Sequence, residues 1–591
     1  MLLRPIPTTV SSPIPAFPPP QSVQRWLPLL TVALLGACLV GCGHGTQPLP
    51  KLEPTRMSAQ LQPVGQLLAE SRRAERFGND DEALALALQA LRQIHRSEAN
   101  GDLLTAGSHR RATLHAKAAL IRIGQRQDWN WLDPVGREIE LADGSNLVVV
   151  HDLSEGDRAT LNPREWSRIE PAAQVVAREL PLRTTAQGVG VPLVFSRDVN
   201  RSATPVSLLV PLERNGEVVP ATLLARFDDS DPDQPRMHLR WQATLETVQW
   251  AVNNAAAPVP VAADFSAPLE VFGAAGGFRA PALLGVLRPD RFPDAIELFR
   301  MTPKDPQRVP VVLVHGLASQ PRMWRGVVNE LLRDPEIRER CEFYYFAYPT
   351  SQPLPYVASQ LRLALSELQH LGLADDGEVL LVGHSLGGLV SKMQVTDPGS
   401  RLWDLYFTSQ PEQIERLGPV SQRLSEWLFY ESVPVVGRVV FIATPHGGSE
   451  IADSWIGDIG RRLARVPRHA ITLAGSLVML EVGVLTDTGR RVANRFPTVV
   501  EGLSPESRFL ATLRSLPVAD GIGTHTIYGN RNAGNPDRPC TDGVVRCDSA
   551  RLPGMDSELM VVSGHNAHEN PQAIAELRRI IRLHLQTLGR E

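Results

Sequence analysis

The sequence predicts an α/β chain whose second half is a mostly parallel sheet covered by helices on both faces. Three observations carry this. The run Val379-Leu-Leu-Val382 is continuously apolar rather than alternating, as a strand buried on both faces must be. It leads straight into Gly383-His384-Ser385-Leu386-Gly387 and then into an apolar stretch able to start a helix. From about Phe299 onward, strand-like and helix-like stretches alternate, the pattern of βα crossovers. The G-x-S-x-G segment has a steric logic of its own. A serine on a sharp strand-to-helix turn has a strained backbone, so the residues two before and two after must lack side chains. Such a turn lifts the hydroxyl above the sheet edge, and the helix N-terminus behind it favours developing negative charge.

Taken from the start, residues 1–41 read as a lipoprotein signal peptide. Met1 to Gln24 is rich in Pro and Ser and has no fold pattern. Arg25 then precedes an apolar stretch of signal-peptide length, Trp26 to Gly41, that ends at Cys42. Leu39-Val40-Gly41-Cys42 resembles a bacterial lipobox, in which the cysteine thiol is diacylated and becomes the mature N-terminus. Leu35-Gly36-Ala37-Cys38 is a weaker tetrad of the same kind. An uncleaved anchor and an ordinary secretory signal are the competing readings. Gly43 stands where the lipoprotein pattern would carry an Asp for inner-membrane retention. The expected location is therefore the cell envelope, lipid-anchored in the outer membrane and facing the periplasm. Residues 42–60 are polar and proline-containing, a tether.

At 591 residues the chain needs two or three domains. A net charge of −4 over that length gives no reason to expect a nucleic-acid partner. Residues 61–127 turn helical: Glu82-Ala-Leu-Ala-Leu-Ala-Leu-Gln-Ala-Leu-Arg is built of strong helix formers, with Asn79-Asp80-Asp81 as a cap. The segment resembles a tetratricopeptide-like hairpin, but one copy is too few for a repeat array, and a plain helical segment is the preferred reading. Residues 128–298 are β-rich. Short runs such as Asn146-Leu-Val-Val-Val, Val206-Ser-Leu-Leu-Val and His238-Leu-Arg-Trp-Gln are separated by turn clusters such as Asn215-Gly216 and Asp228-Asp-Ser-Asp-Pro232. A β-sandwich-like accessory domain is the expectation, with no metal or nucleophile site in it. The protein partner of this N-terminal half is unknown.

Residues 299–591 hold the alternating elements. Val309 to Val314 reads as a strand ending in a His315-Gly316 turn, Phe343 to Tyr348 as a second strand, and Leu354 to Leu371 as a helix. The Ser385 strand follows, then Arg438 to Thr444, Thr524 to Tyr528, Leu559 to Val562, and a closing helix from about Pro571 to Leu588. Here the sequence resembles the α/β-hydrolase superfamily. More narrowly, His315-Gly316-Leu317, Gly383-His-Ser-Leu-Gly387 and Ala443-Thr-Pro-His446-Gly-Gly-Ser449 are similar to bacterial serine lipases and esterases and to the lipase domain of GPI inositol-deacylase-like proteins. The resemblance spans about half the chain. It implies an α/β-hydrolase fold and a serine hydrolase of ester substrates, with its triad in the order Ser, acid, His.

A neutral serine needs a base to take its proton, and Val562-Ser-Gly564-His565-Asn-Ala-His568-Glu-Asn-Pro571 supplies two late histidines. His565 directly follows a strand and a glycine, where a side chain reaches back over the sheet edge; its setting also resembles the family pattern. His568 is the competitor. The base must be oriented by an acid. Asp542, in Cys540-Thr-Asp542-Gly-Val-Val, looks like the acid-bearing turn of related lipases, with Asp537 and Asp548 as competitors. The expected catalytic set is Ser385, Asp542 and His565. By motif position the oxyanion N–H donors are those of Leu317 and Leu386. His315, His384 and His446 are expected to pack around the motif loops. Cys540 and Cys547 bracket a short loop and can pair in an oxidising compartment, for about 2–3 kcal/mol on the loop-entropy model. No cysteine pair has zinc-ligand spacing with a matching partner pair, and neither metal nor cofactor is required. Two insertions, Thr396 to Val436 and Ser449 to Asp520, suit a lipase. The second carries the apolar run Ala470 to Leu480 beside Arg461, Arg462, Arg465 and Arg468, a lipid-docking flap or a buried helix. The expected activity is cleavage of carboxylic esters of acyl lipids or similar hydrophobic molecules through an acyl-enzyme. An acyltransferase with the same triad and a non-catalytic envelope interaction lipoprotein are the alternatives.

Overall fold

The computed structural model describes residues 62–589. Residues 100–105, 128–135, 153–165, 197–217, 276–295, 301–306, 411–418, 450–483 and 495–501, and a few shorter breaks, fall outside the description. The signal segment, Cys38, Cys42 and the tether therefore lie outside the described residues, as do the strand expected at Val206 to Val210, the Asn215-Gly216 turn, and the arginine and apolar runs of the second insertion. Among the described residues no helix is long and apolar enough to cross a membrane.

The first half begins with three helices, α1 (Gln62–Arg76), α2 (Asp80–Ala99) and α3 (Ala106–Arg126). Then come strands β1 (Arg137–Glu140), β2 (Asn146–Asp152), β3 (Arg168–Pro171), β4 (Val191–Ser196), β5 (Val218–Asp228) and β6 (Arg236–Gln242). They form one mixed sheet in the order β1-β2-β6-β5-β4-β3, with β2 and β6 parallel. This corrects the sandwich expectation. Every second residue of the strands, such as Val191, Leu193 and Phe195 or Met237, Leu239 and Trp241, joins one apolar cluster with Leu68, Leu84, Leu88, Leu91 and Leu120 of the helices. A period of two requires that one face be covered. Here the cover is helical, since apolar residues of α1–α3 share that cluster with the strands.

The opposite face of that sheet meets the second half. Helix α4 (Ser266–Ala275) shares a cluster with Val194, Val218, Trp324, Val327 and Leu331. A buried polar joint fixes the contact: Ser266 donates to the Asn329 side-chain oxygen at 2.6 Å, and the Asn329 amide donates to the Leu182 carbonyl at 2.9 Å. Thr184 donates to the Asn329 carbonyl at 3.0 Å, so the joint is satisfied rather than a net cost. Asn329 lies on α5 (Arg325–Leu331), which directly follows the short turn of Trp324.

The second sheet contains β7 (Glu297–Arg300), β8 (Val309–Val314), β9 (Cys341–Ala347), β10 (Val379–His384), β11 (Val436–Ile442), β12 (Gly523–Gly529) and β13 (Ser557–Val561). Their order is β7-β9-β8-β10-β11-β12-β13. All neighbours from β9 to β13 are parallel, and only the edge strand β7 runs antiparallel. Residues of one strand feed two different cores. Leu381 and Val379 face one cluster, Leu380 and Val382 the other. That double burial is the physical reason for the unbroken apolar run. Helices α6 (Leu354–His370), α7 (Leu386–Lys392) and α8 (Arg508–Ser515) contribute to one layer, α5 and α9 (Pro571–Thr587) to the other. The chain leaves β8 to one side for β9 and returns on the other for β10. In open α/β sheets such a switch point, at the carboxyl ends of the strands, is where ligands bind.

Candidate active site

Ser385 stands at the carboxyl end of β10 with φ 55° and ψ −123°, one of two non-glycine residues in the left-handed region among those described. The strain is held by its surroundings. Ser385 N–H donates to the Ile442 carbonyl at 2.9 Å, and its own carbonyl accepts from Gly388 N–H at 2.9 Å. The flanking glycines are required by contact. A Cβ on Gly383 would lie 2.6 Å from the Gly387 carbonyl oxygen, and one on Gly387 would lie 2.3 Å from the Val314 carbonyl oxygen. A Cβ on Gly388 would meet the Thr444 hydroxyl oxygen at 1.8 Å, which packs the start of α7 against the loop after β11.

His565 follows β13 and Asp542 lies in the turn after β12, so both sit at the same sheet edge as Ser385. His565 Nε2 is 2.9 Å from Ser385 Oγ, and His565 Nδ1 is 2.8 Å from Asp542 Oδ2. With Nδ1–H given to the carboxylate, Nε2 is the lone-pair nitrogen facing the hydroxyl. Asp542 is 4% exposed. Its Oδ1 accepts from the N–H groups of Val544 and Val545, both at 2.7 Å. The turn itself is closed by a Cys540–Cys547 disulfide, by Asp542 N–H to the Val545 carbonyl at 3.1 Å, and by Cys547 N–H to the Cys540 carbonyl at 3.1 Å. Gly543 takes φ 98°, which explains the glycine after the aspartate. Asp537 is exposed, and Asp548 pairs instead with Arg546 at 3.2 Å. Neither faces His565.

His568 occupies a short turn ahead of α9, 3% exposed, and burial pushes its basicity down to about 4. It bonds neither Ser385 nor Asp542. His315 is likewise lowered to about 4 by burial, against the pull of its bond to the Gly316 carbonyl. His446 is held well below the usual histidine range by burial first, then by the Lys392 and Arg514 charges. These rings are neutral at neutral pH. His384 is also buried, but it makes one contact that its sequence setting does not announce: its Nε2 lies 2.9 Å from the His565 carbonyl.

The Gly316-Leu317 turn closes the other side of the hydroxyl. A Cβ on Gly316 would lie 2.9 Å from Ser385 Cβ, so the turn passes directly beside the serine. Leu317 is half-buried, and Leu386 is the first residue of α7, whose N–H has no intrahelical acceptor. Among the described residues no group of three or more His, Cys, Asp or Glu side chains is arranged to hold a metal ion.

A sheet with six parallel strands, a strained serine at its switch point and an acid and a histidine on the later strand ends define a class. Residues 311–577, from β8 into α9, match the model of the alpha/beta hydrolase family. The C-terminal part of this chain is an α/β-hydrolase domain. A lipase from Bacillus licheniformis in its mature form is similar at 18% identity over 49% of this chain and 97% of that one, with a TM-score of 0.30. An esterase from a Rhodococcus species is similar at 16% identity over 49% of this chain and 95% of that one, with a TM-score of 0.26. A phospholipase from Legionella pneumophila is similar at 14% identity over 41% of this chain and 45% of that one, with a TM-score of 0.24. No curated protein matches the sequence.

Proposed function

We propose that the chain is a serine hydrolase that cleaves carboxylic esters of acyl lipids or similarly hydrophobic molecules. The observation that carries this reading is the unbroken hydrogen-bonded line from Asp542 through His565 to Ser385. In this reading Ser385 Oγ attacks the ester carbonyl carbon as its proton passes to His565 Nε2. Asp542 holds the ring in the productive tautomer and stabilises the imidazolium. The negative charge on the carbonyl oxygen falls between the N–H groups of Leu317 and Leu386. Collapse breaks the bond to the alcohol, which leaves with the proton from His565, and Ser385 keeps the acyl group. Water then repeats the sequence: His565 takes its proton, the acid departs, and the serine proton is restored. The test is labelling with a fluorophosphonate, located by peptide mass. Wild type is expected to react at Ser385 and Ser385→Ala not at all; an unreactive wild type would end the proposal.

The location belongs to the same reading. The Leu39-Val40-Gly41-Cys42 tetrad supports an enzyme tethered by diacylated Cys42 to the outer membrane and facing the periplasm, where an oxidising milieu suits the Cys540–Cys547 bridge. Cys42→Ala is expected to abolish incorporation of labelled fatty acid and to release the protein from the membrane fraction. An unmodified mature N-terminus in wild type, read by mass spectrometry, would remove the anchor.

A further inference from the structure

His384 is the variable position inside G-x-S-x-G, and its imidazole stands where three parts of the site meet. Its Nε2 faces the His565 carbonyl oxygen at 2.9 Å. Its Nδ1 has no hydrogen-bond partner and faces the Gly316 turn, where a Cβ would lie 3.0 Å away. The next residue along the chain is the nucleophile. Three aromatic rings enclose it: His568 at 4.5 Å between centroids, His565 at 5.1 Å, and the edge of Trp324 at 6.5 Å. The ring is 4% exposed.

We propose that His384 is a positioning residue: by donating Nε2–H to the His565 carbonyl it sets the distance between the base loop and the serine. The inference rests on the serine-hydrolase reading and adds to it a residue that touches no substrate. The two side-chain bonds of His565 orient its ring, but they do so only if its backbone stays in place. The loop from Val562 to Asn566 is exposed or half-buried along its length. Among the described residues, the bond to His384 is the one hydrogen bond made by the backbone from Ser563 to His565. The strand residue before the nucleophile thus grips the same histidine that the nucleophile's hydroxyl must reach, and a shift of one moves the other with it. A carbonyl accepts only from a protonated nitrogen, so Nε2 carries the hydrogen and the partnerless Nδ1 the lone pair. The ring works as a neutral donor, since a second cation beside His565 would oppose its charging during turnover. Burial, then the neighbouring His568 and His565, hold its basicity well below the usual histidine range, in keeping with that role.

The experiment compares His384→Gln with His384→Asn in the full chain, using a p-nitrophenyl ester and thermal melting of each protein. A glutamine amide reaches about as far as Nε2, whereas an asparagine amide reaches only as far as Nδ1. Asparagine is also the smaller amide, so His384→Leu is measured beside them. It fills at least the glutamine volume without a donor: a packing role alone predicts kcat like the glutamine variant, whereas the lost donor predicts kcat like the asparagine variant. The asparagine variant is expected to lose about 100-fold in kcat with KM nearly unchanged, the cost of a base displaced by about 1 Å. The glutamine variant is expected to keep kcat within about tenfold of wild type. If the asparagine variant does not fold, the leucine variant alone is the comparator. Equal kcat in the glutamine variant and its comparator, or a loss confined to KM, would overturn the proposal while leaving Ser385 chemistry standing. A wild type that neither turns over the ester nor takes the fluorophosphonate would overturn both.

Discussion

His565→Ala is expected to lower ester turnover by about four to six orders of magnitude, as loss of the base in a Ser-His-acid unit does. The reason lies in two distances from one ring, 2.9 Å to Ser385 Oγ and 2.8 Å to Asp542 Oδ2. Without that imidazole no group bonded to the hydroxyl can take its proton. The effect is not additive. His565→Ala combined with Ser385→Ala should be no slower than either alone, because each removes the same proton-transfer step. His568→Ala should behave differently. His568 is buried against Trp324 and His384, so its removal leaves a cavity and lowers the melting temperature, with turnover within about tenfold of wild type. Steady-state kinetics on the variants decide the matter, and a larger loss in His568→Ala than in His565→Ala would transfer the role.

Asp542→Asn is expected to cost about four orders of magnitude in kcat. The local hydrogen bonds say why. Oδ1 already accepts two backbone N–H groups, from Val544 and Val545. An asparagine would keep its oxygen there and turn its NH2 toward His565 Nδ1. That nitrogen must then accept, the ring proton moves to Nε2, and Ser385 faces a donor instead of a base. Opening the bridge with Cys547→Ser should cost much less, because the turn keeps its backbone bonds between Cys547 and Cys540 and between Asp542 and Val545. Up to about 2–3 kcal/mol of stability should be lost, with turnover reduced but well above that of Asp542→Asn. Ester kinetics and a thiol count with and without reductant measure both. Near-wild-type turnover in Asp542→Asn would remove the acid assignment, and two free thiols at positions 540 and 547 would remove the bridge.

By itself the sequence determined the six parallel strands of the second half and the tight turn that carries Ser385. Val379 to Val382 read as a strand covered on both faces, and the glycines around Ser385 declared a turn without room for side chains. These features are local: a residue's period of burial and its steric neighbours within one turn are written in adjacent letters. The pairing of Cys540 with Cys547 was legible for the same reason, since seven residues of separation leave few other closures. What crosses the chain was not legible. The contact that favours His565 over His568 in the proposed role spans 180 residues, and Asp542 rather than Asp537 or Asp548 lies against His565 because of where its turn meets the end of β13. In the first half the alternation of β4 and β6 required a covered face, yet only packing shows that α1–α3 cover it, because a period of two records that a face is buried and not by what. His384 is the sharpest instance. As a letter inside G-x-S-x-G it is any buried residue. It becomes a donor to His565 only when β10 and β13, far apart in sequence, bring their ends to one edge.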